Sequence, residues 1–131
     1  MSLSKADIDK VEDRPLKKLH VPEWAGDVYI RTLSGLEADL FERDVYGDDK
    51  KGSRNVRARL AVTVLADEQG NRLYTDADAG RLGKEKSRAA LDRIFEAARL
   101  HNRMGAEHKE ELAGNSAAGP ADDSPSDSPK K

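Results

Sequence analysis

The chain has 131 residues, with 37% charged and 37% hydrophobic side chains, a formal net charge of −2 and no cysteine. That excludes a disulfide framework or a cysteine-ligated metal, shows no global basic excess of the nucleic-acid-binding kind, and leaves room for one modest core. The N-terminus has no basic run ahead of an apolar one, and no stretch approaches the ~18 apolar residues of a membrane span, so a protein of the cell interior is expected.

Residues 1–14 are polar, with Ile8 and Val11 spaced like one turn of helix that Ser4 or Asp7 could cap. So short a helix is marginal by itself, and the segment reads as a flexible arm ended by Pro15. From Leu16 the pattern L-K-K-L-H-V, and after P-E-W-A-G-D the pattern V-Y-I-R-T-L, alternate apolar and polar residues. Both read as strands of a β-hairpin, with Pro22 and Gly26 in a six-residue connection and Trp24 folded back as a lid on the core. A two-stranded hairpin is unstable alone, so one face has to lie on helices.

Ser34 opens a helix. S-G-L-E is a capping box, in which Ser34 and Glu37 satisfy one another's backbone N–H groups. Leu36, Leu40, Phe41 and Val45 form its apolar stripe, and Tyr46-Gly47 ends it with the glycine suited to a left-handed turn. After the charged loop G-D-D-K-K-G-S-R comes N-V-R-A-R-L-A-V-T-V-L-A, capped by Ser53 or Asn55. Its length favours a helix, although its second half is β-branched enough for a strand. D-E-Q-G-N-R-L-Y is a reverse turn around Gly70-Asn71, and T-D-A-D caps a helical turn that Gly83 should stop. The clearest helix is K-S-R-A-A-L-D-R-I-F-E-A-A-R-L-H-N-R, burying Ala90, Leu91, Ile94, Phe95 and Ala98. Gly105 interrupts, A-E-H-K-E-E-L-A is a weak last helix, and from Gly114 the composition is that of a disordered tail. The fold class is therefore α+β, mainly α. Four to five helices join a hairpin near the N-terminus, with an arm over 1–14, a domain over 15–113 and a tail over 114–131.

Chemistry-bearing constellations are thin. His20, His101 and His108 sit in three different segments without metal-ligand spacing and read as surface histidines. Asp67, Glu68, Asp76 and Asp78 lack the spacing of a calcium loop and read as turn and cap residues. The run Lys50, Lys51, Arg54, Arg57 and Arg59 has no interleaved aromatic and has Asp48 and Asp49 beside it, so a solvated face outweighs a phosphate grip. No serine sits in a nucleophile elbow and no glycine loop has P-loop spacing. Catalytic, cofactor-binding and metal residues: none are expected.

In their order and spacing, V-P-E-W-A-G-D-V-Y-I-R-T-L-S-G-L-E-A-D-L-F-E, N-V-R-A-R-L-A, D-E-Q-G-N-R-L-Y-T-D-A-D and A-L-D-R-I-F-E-A-A-R-L-H-N resemble the tail assembly chaperones of long-tailed, siphovirus-type bacteriophages. The resemblance spans roughly residues 16–103. It implies a mainly helical fold and a non-enzymatic protein without nucleotide or metal. The implied partners are the tape measure protein, kept soluble, and the tail tube protein, recruited to it; self-association would suit so small a core. It further implies action in the cytoplasm of an infected or lysogenic host, absence from the mature virion, and short and long products made by programmed frameshifting. Pro129-Lys130-Lys131 would then mark the end of the short form. Trp24 and Tyr46 at turn edges, with Leu100 and Met104 as exposed apolars flanking the last strong helix, are the expected partner contacts. Two rivals are a small head–tail or tail component of the virion and a nucleic-acid-binding regulator using Lys50–Arg59.

Overall fold

The hairpin supplies the frame on which the helices are hung. The computed structural model describes residues 1–47 and 54–104. Strand β1 (Lys17–Val21) pairs antiparallel with β2 (Gly26–Ile30), from Lys17 opposite Ile30 to Val21 opposite Gly26. The connection is Pro22–Ala25, four residues rather than six: a 3-10 turn over Pro22–Trp24, closed by Ala25 at φ 54°. Left-handed backbone at a non-glycine residue costs some strain, and here it lets Ala25 N–H reach the Pro22 carbonyl at 3.0 Å. The period-two reading holds. Val21 and Ile30 are fully buried with Leu19 and Val28 beside them, while Lys18 and His20 reach Asp27 on the outer face at 3.6 and 2.8 Å.

Helix α2 (Gly35–Tyr46) follows, then α3 (Val56–Val64), a two-residue strand β3 (Leu65–Ala66), α4 (Ala79–Glu85) and α5 (Arg88–His101). The arm contributes α1 (Lys5–Lys10), so five α-helices and a three-stranded sheet of order β1-β2-β3 are present among the described residues. Both readings of L-A-V-T-V-L were partly right. The segment is helical to Val64, burying Val62 and Val64, and then turns into β3, opposite Tyr29 and Ile30. The core lies where α3 meets α5, α4 and the inner face of the hairpin: Ile30, Leu60, Val64, Leu82, Ala90 and Ile94 are all at most 1% exposed.

Glycine behaves differently from the sequence expectation at two points. Gly47 follows α2 in extended backbone, φ −84° and ψ −171°, not in a left-handed turn. Gly83 does not stop α4 but lies inside it, and a β-carbon there would fall 2.3 Å from the Asn55 side-chain oxygen. Its absence lets the Asn55 amide lie against α4 and donate to the Ala79 carbonyl at 3.0 Å. Asn55 therefore joins two helices instead of capping α3 with its side chain. Ser53, the other expected cap, the weak helix after Gly105 and the tail from Gly114 lie outside the described residues.

Candidate functional site

Helix α2 begins with the expected box: Glu37 N–H donates to Ser34 Oγ at 3.1 Å, and Ser34 N–H to Glu37 Oε1 at 2.9 Å. Glu37 does more than cap. Arg31 donates to it at 2.9 Å and Arg14 at 3.0 Å, tying strand exit, helix start and arm to one carboxylate. Partial burial alone would raise the Glu37 pKa; the Ser34 N–H, then Arg31 and Arg14, outweigh it and hold the carboxyl below its ordinary value. Arg31 also donates to the Thr63 carbonyl, and Arg72 donates to the Val62 carbonyl at 2.7 and 3.2 Å from the other side. Two guanidinium groups thus satisfy the last carbonyls of α3, where a positive charge also suits the helix dipole. Read from sequence, Arg31 was simply the polar phase of a strand.

Beyond this seam α2 lifts away from the domain. Its stripe is only half used: Val45 is buried and Phe41 packs against the core, but Leu36 and Leu40 are 68% and 41% exposed. The helical period of the stripe is present, yet the core lies under only one of its edges. Between α2 and α3 this leaves a groove of about 370 Å³. Leu40, Phe41, Val62 and Ala79 give it an apolar floor, Glu37, Asp44 and Asp76 line it with acids, and Arg59 and Arg72 with bases. Thr63, the hydroxyl among the lining residues, donates back to the Arg59 carbonyl at 2.9 Å. An apolar floor between charges of both signs suits the docking of an apolar side-chain row. Among the described residues no group of three or more His, Cys, Asp or Glu is placed to hold a metal, and no helix is long and apolar enough to cross a membrane.

The expected contact residues scatter. Trp24 is half-buried and packs on the core from the hairpin turn, which Glu23 clamps to α5 through two bonds to Arg93, each 3.0 Å. Tyr46 ends α2, and its side chain lies outside the described part of the structure. Leu100 stands out from α5 at 59% exposure. Met104 is not an exposed apolar: it is 3% exposed and belongs to the core. The cause is the end of α5. Arg103 takes the left-handed conformation at φ 54°, so that Met104 N–H bonds to the Arg99 carbonyl at 2.9 Å and Arg103 N–H to that of Leu100 at 3.3 Å. That is a Schellman ending, which returns the residue after the turn to the apolar side; an arginine in the glycine position concealed it.

The other weighed residues have structural roles. Asp67 accepts from the N–H groups of Gln69 and Asn71, both at 2.9 Å, making the turn at Gly70, and Asp78 accepts from Thr75 N–H at 2.9 Å. His20 is exposed, but His101 is half-buried, its Nε2 2.7 Å from a Thr32 hydroxyl that donates to the Pro15 carbonyl. Of the basic run, Arg57 pairs with Asp92 at 2.8 Å over the ring of Phe95, and Arg59 lines the groove. Lys50, Lys51 and His108 lie outside the described residues.

No protein-family model matches the sequence, and no curated protein matches it. Among solved structures the fold is similar to that of the bacteriophage HK97 tail assembly chaperone, with a TM-score of 0.52 and 23% identity, over 68% of this chain and 82% of that one. That likeness shows the fold, the mainly helical one that the resemblance read from the sequence implies.

Proposed function

We propose that the chain is a non-enzymatic tail assembly chaperone of a long-tailed bacteriophage, acting in the cytoplasm of the infected or lysogenic host. Its clients are the tape measure protein, whose apolar helical stripes it covers, and the tail tube protein, which it helps bring to the first; it leaves before the virion is finished. The observation that carries this is the fold shared over 82% of the HK97 chaperone's length, reached independently of the sequence resemblance. The groove supports it. A row of apolar side chains spaced as on one helix face can lie along Leu36 and Leu40 into the floor at Phe41 and Val62, with charges at the rim keeping the pair soluble. Leu100, Trp24 and Tyr46 stay as secondary contacts, and Met104 drops out because it is buried.

Co-expression with the tape measure protein tests the reading. The client should move from the insoluble to the soluble fraction several-fold and co-purify with this chain. Equal insolubility with and without this protein would end the proposal, and recovery of the chain as a stoichiometric part of purified particles would replace it with a virion component.

A further inference from the structure

The three-stranded sheet has two outer edges, and the fold closes one of them. Beyond β3 the chain doubles back, so that Asp67 N–H donates to the Asn71 carbonyl at 2.9 Å and Leu73 N–H to that of Leu65 at 3.0 Å. Among the described residues no strand lies beyond β1. Arg31 N–H bonds to the Val64 carbonyl while Ile30 stands opposite Leu65, so Ile30 turns its own N–H and C=O toward Lys17. Backbone direction alternates along a strand. Lys17, Leu19 and Val21 therefore bond to β2, and the N–H and C=O groups of Lys18 and His20 point outward. No described residue meets them, and an unpaired row of this kind is a template for another strand.

The surroundings select the occupant. Helix α5 packs on β1, and its Arg93 reaches Glu23 in the turn that follows that strand. Leu100 stands seven residues further on, two turns along the same flank, and is 59% exposed. Half-buried Leu19 lies on the inner face of β1, toward this flank. In an antiparallel added strand, the residues that bond Lys18 and His20 share the outer face with them, and those between turn inward to Leu19 and Leu100. A second copy of β1 would set Lys18 against His20 twice over, basic against basic. The lysines thus guard the edge against its own kind and leave it open to acids. We infer that β1 takes an extended segment of another protein, antiparallel, with acidic residues opposite Lys18 and His20 and apolar residues between them. This edge is separate from the α2–α3 groove and does not rest on the chaperone reading.

The probe is an end-blocked heptapeptide of alternating glutamate and isoleucine, added to the full chain and followed by amide hydrogen exchange and magnetic resonance titration. Without peptide, the Lys18 and His20 amides should exchange freely while that of Leu19, inside the ladder, is protected. Peptide should slow both free amides by about tenfold or more. Methylating the glutamate nitrogens, which face β1, should abolish binding, and methylating the isoleucine nitrogens should not. His20→Pro removes an outward N–H and no ladder bond, so it should weaken binding by about tenfold with circular dichroism unchanged. Should that variant unfold, Lys18→Glu decides, because it should shift preference to the same peptide with lysine in place of glutamate. Protection of the Lys18 and His20 amides before any peptide is added overturns the proposal, since another part of the chain or a second copy would already hold the edge. Binding indifferent to which nitrogens carry methyl overturns it too, as does no response at millimolar peptide. No client is present, so each of these results leaves the solubility test of the chaperone reading untouched.

Discussion

Helices α5 and α2 are both amphipathic and both begin with a serine cap, yet they are used in opposite ways. Of the apolar positions on α5, Ala90, Leu91, Ile94 and Ala98 are buried; on α2 only Val45 is, and Leu36 and Leu40 face outward. The first helix is fastened by apolar packing. The second is fastened mainly by its ends and its charges, through the Ser34 box and the Arg31–Glu37–Arg14 group. A helix fastened at its ends and along one apolar edge keeps apolar surface available for something outside the domain, and a shared sequence period does not distinguish the two uses.

The sharpest way to break that contrast is to truncate each helix once. Ile94→Ala should lower unfolding free energy by about 2–5 kcal/mol, as large-to-small changes in a closed core do, whereas Leu36→Ala should stay within about 0.5 kcal/mol. Urea titrations of both decide it; equal losses would mean that α2 is part of the core after all. Acid should act next, and on the polar seams. The folded-state pKa values of Glu37, Glu23, Asp67 and Asp78 are all lowered, Glu23 by Arg93 first and Asp67 and Asp78 by backbone N–H groups first. A lowered folded value gives stability that is complete above the ordinary carboxylate range and lost as pH falls through the folded value. The urea midpoint should therefore be flat from pH 7 to about 5 and decline steadily below about 4.5, where unfolded-state carboxylates take up protons; a midpoint unchanged at pH 3 would refute the seam. Ser34→Ala should cost about 1 kcal/mol, and hydrogen exchange should show the added opening in α2 while α5 keeps its protection. The smallest effect separates two glycines of α4. Gly80 has nothing within 4 Å of an added β-carbon, so Gly80→Ala should stabilise by about 0.5–1 kcal/mol in thermal melts. Gly83→Ala should forfeit that gain by displacing Asn55 from the Ala79 carbonyl.

What could be read from sequence was what depends on neighbours along the chain. The Ser34 box, the alternation of the hairpin strands, the turn at Gly70 and the buried face of α5 all follow from residues within four positions of each other. What could not be read depends on partners far away. Nothing near Gly83 announces Asn55, nothing near Arg31 announces the carbonyls of α3, and the stripe on α2 does not say which of its edges the core will meet. Met104 failed for a different reason: a local ending was present, but Arg103 held the place where glycine would have advertised it. The groove was illegible as a whole, because its floor combines residues of three segments; the one local hint was that Leu36 and Leu40 followed a helix start already rich in polar bonds.

The Asn102 side chain carries a consequence for the order of folding. Its amide accepts from Leu33 N–H at 2.8 Å and donates to the Arg31 and Ala98 carbonyls, both at 3.1 Å, so a side chain beyond α5 pairs with the backbone leaving β2. Those partners are 69 and 71 residues apart in sequence, and His101 repeats the closure at Thr32. Closing so long a loop is slow beside the formation of local helices. The corner from which α2 starts is thus completed only when α5 arrives, and until then a chain still being synthesised carries its groove on an unfastened hinge.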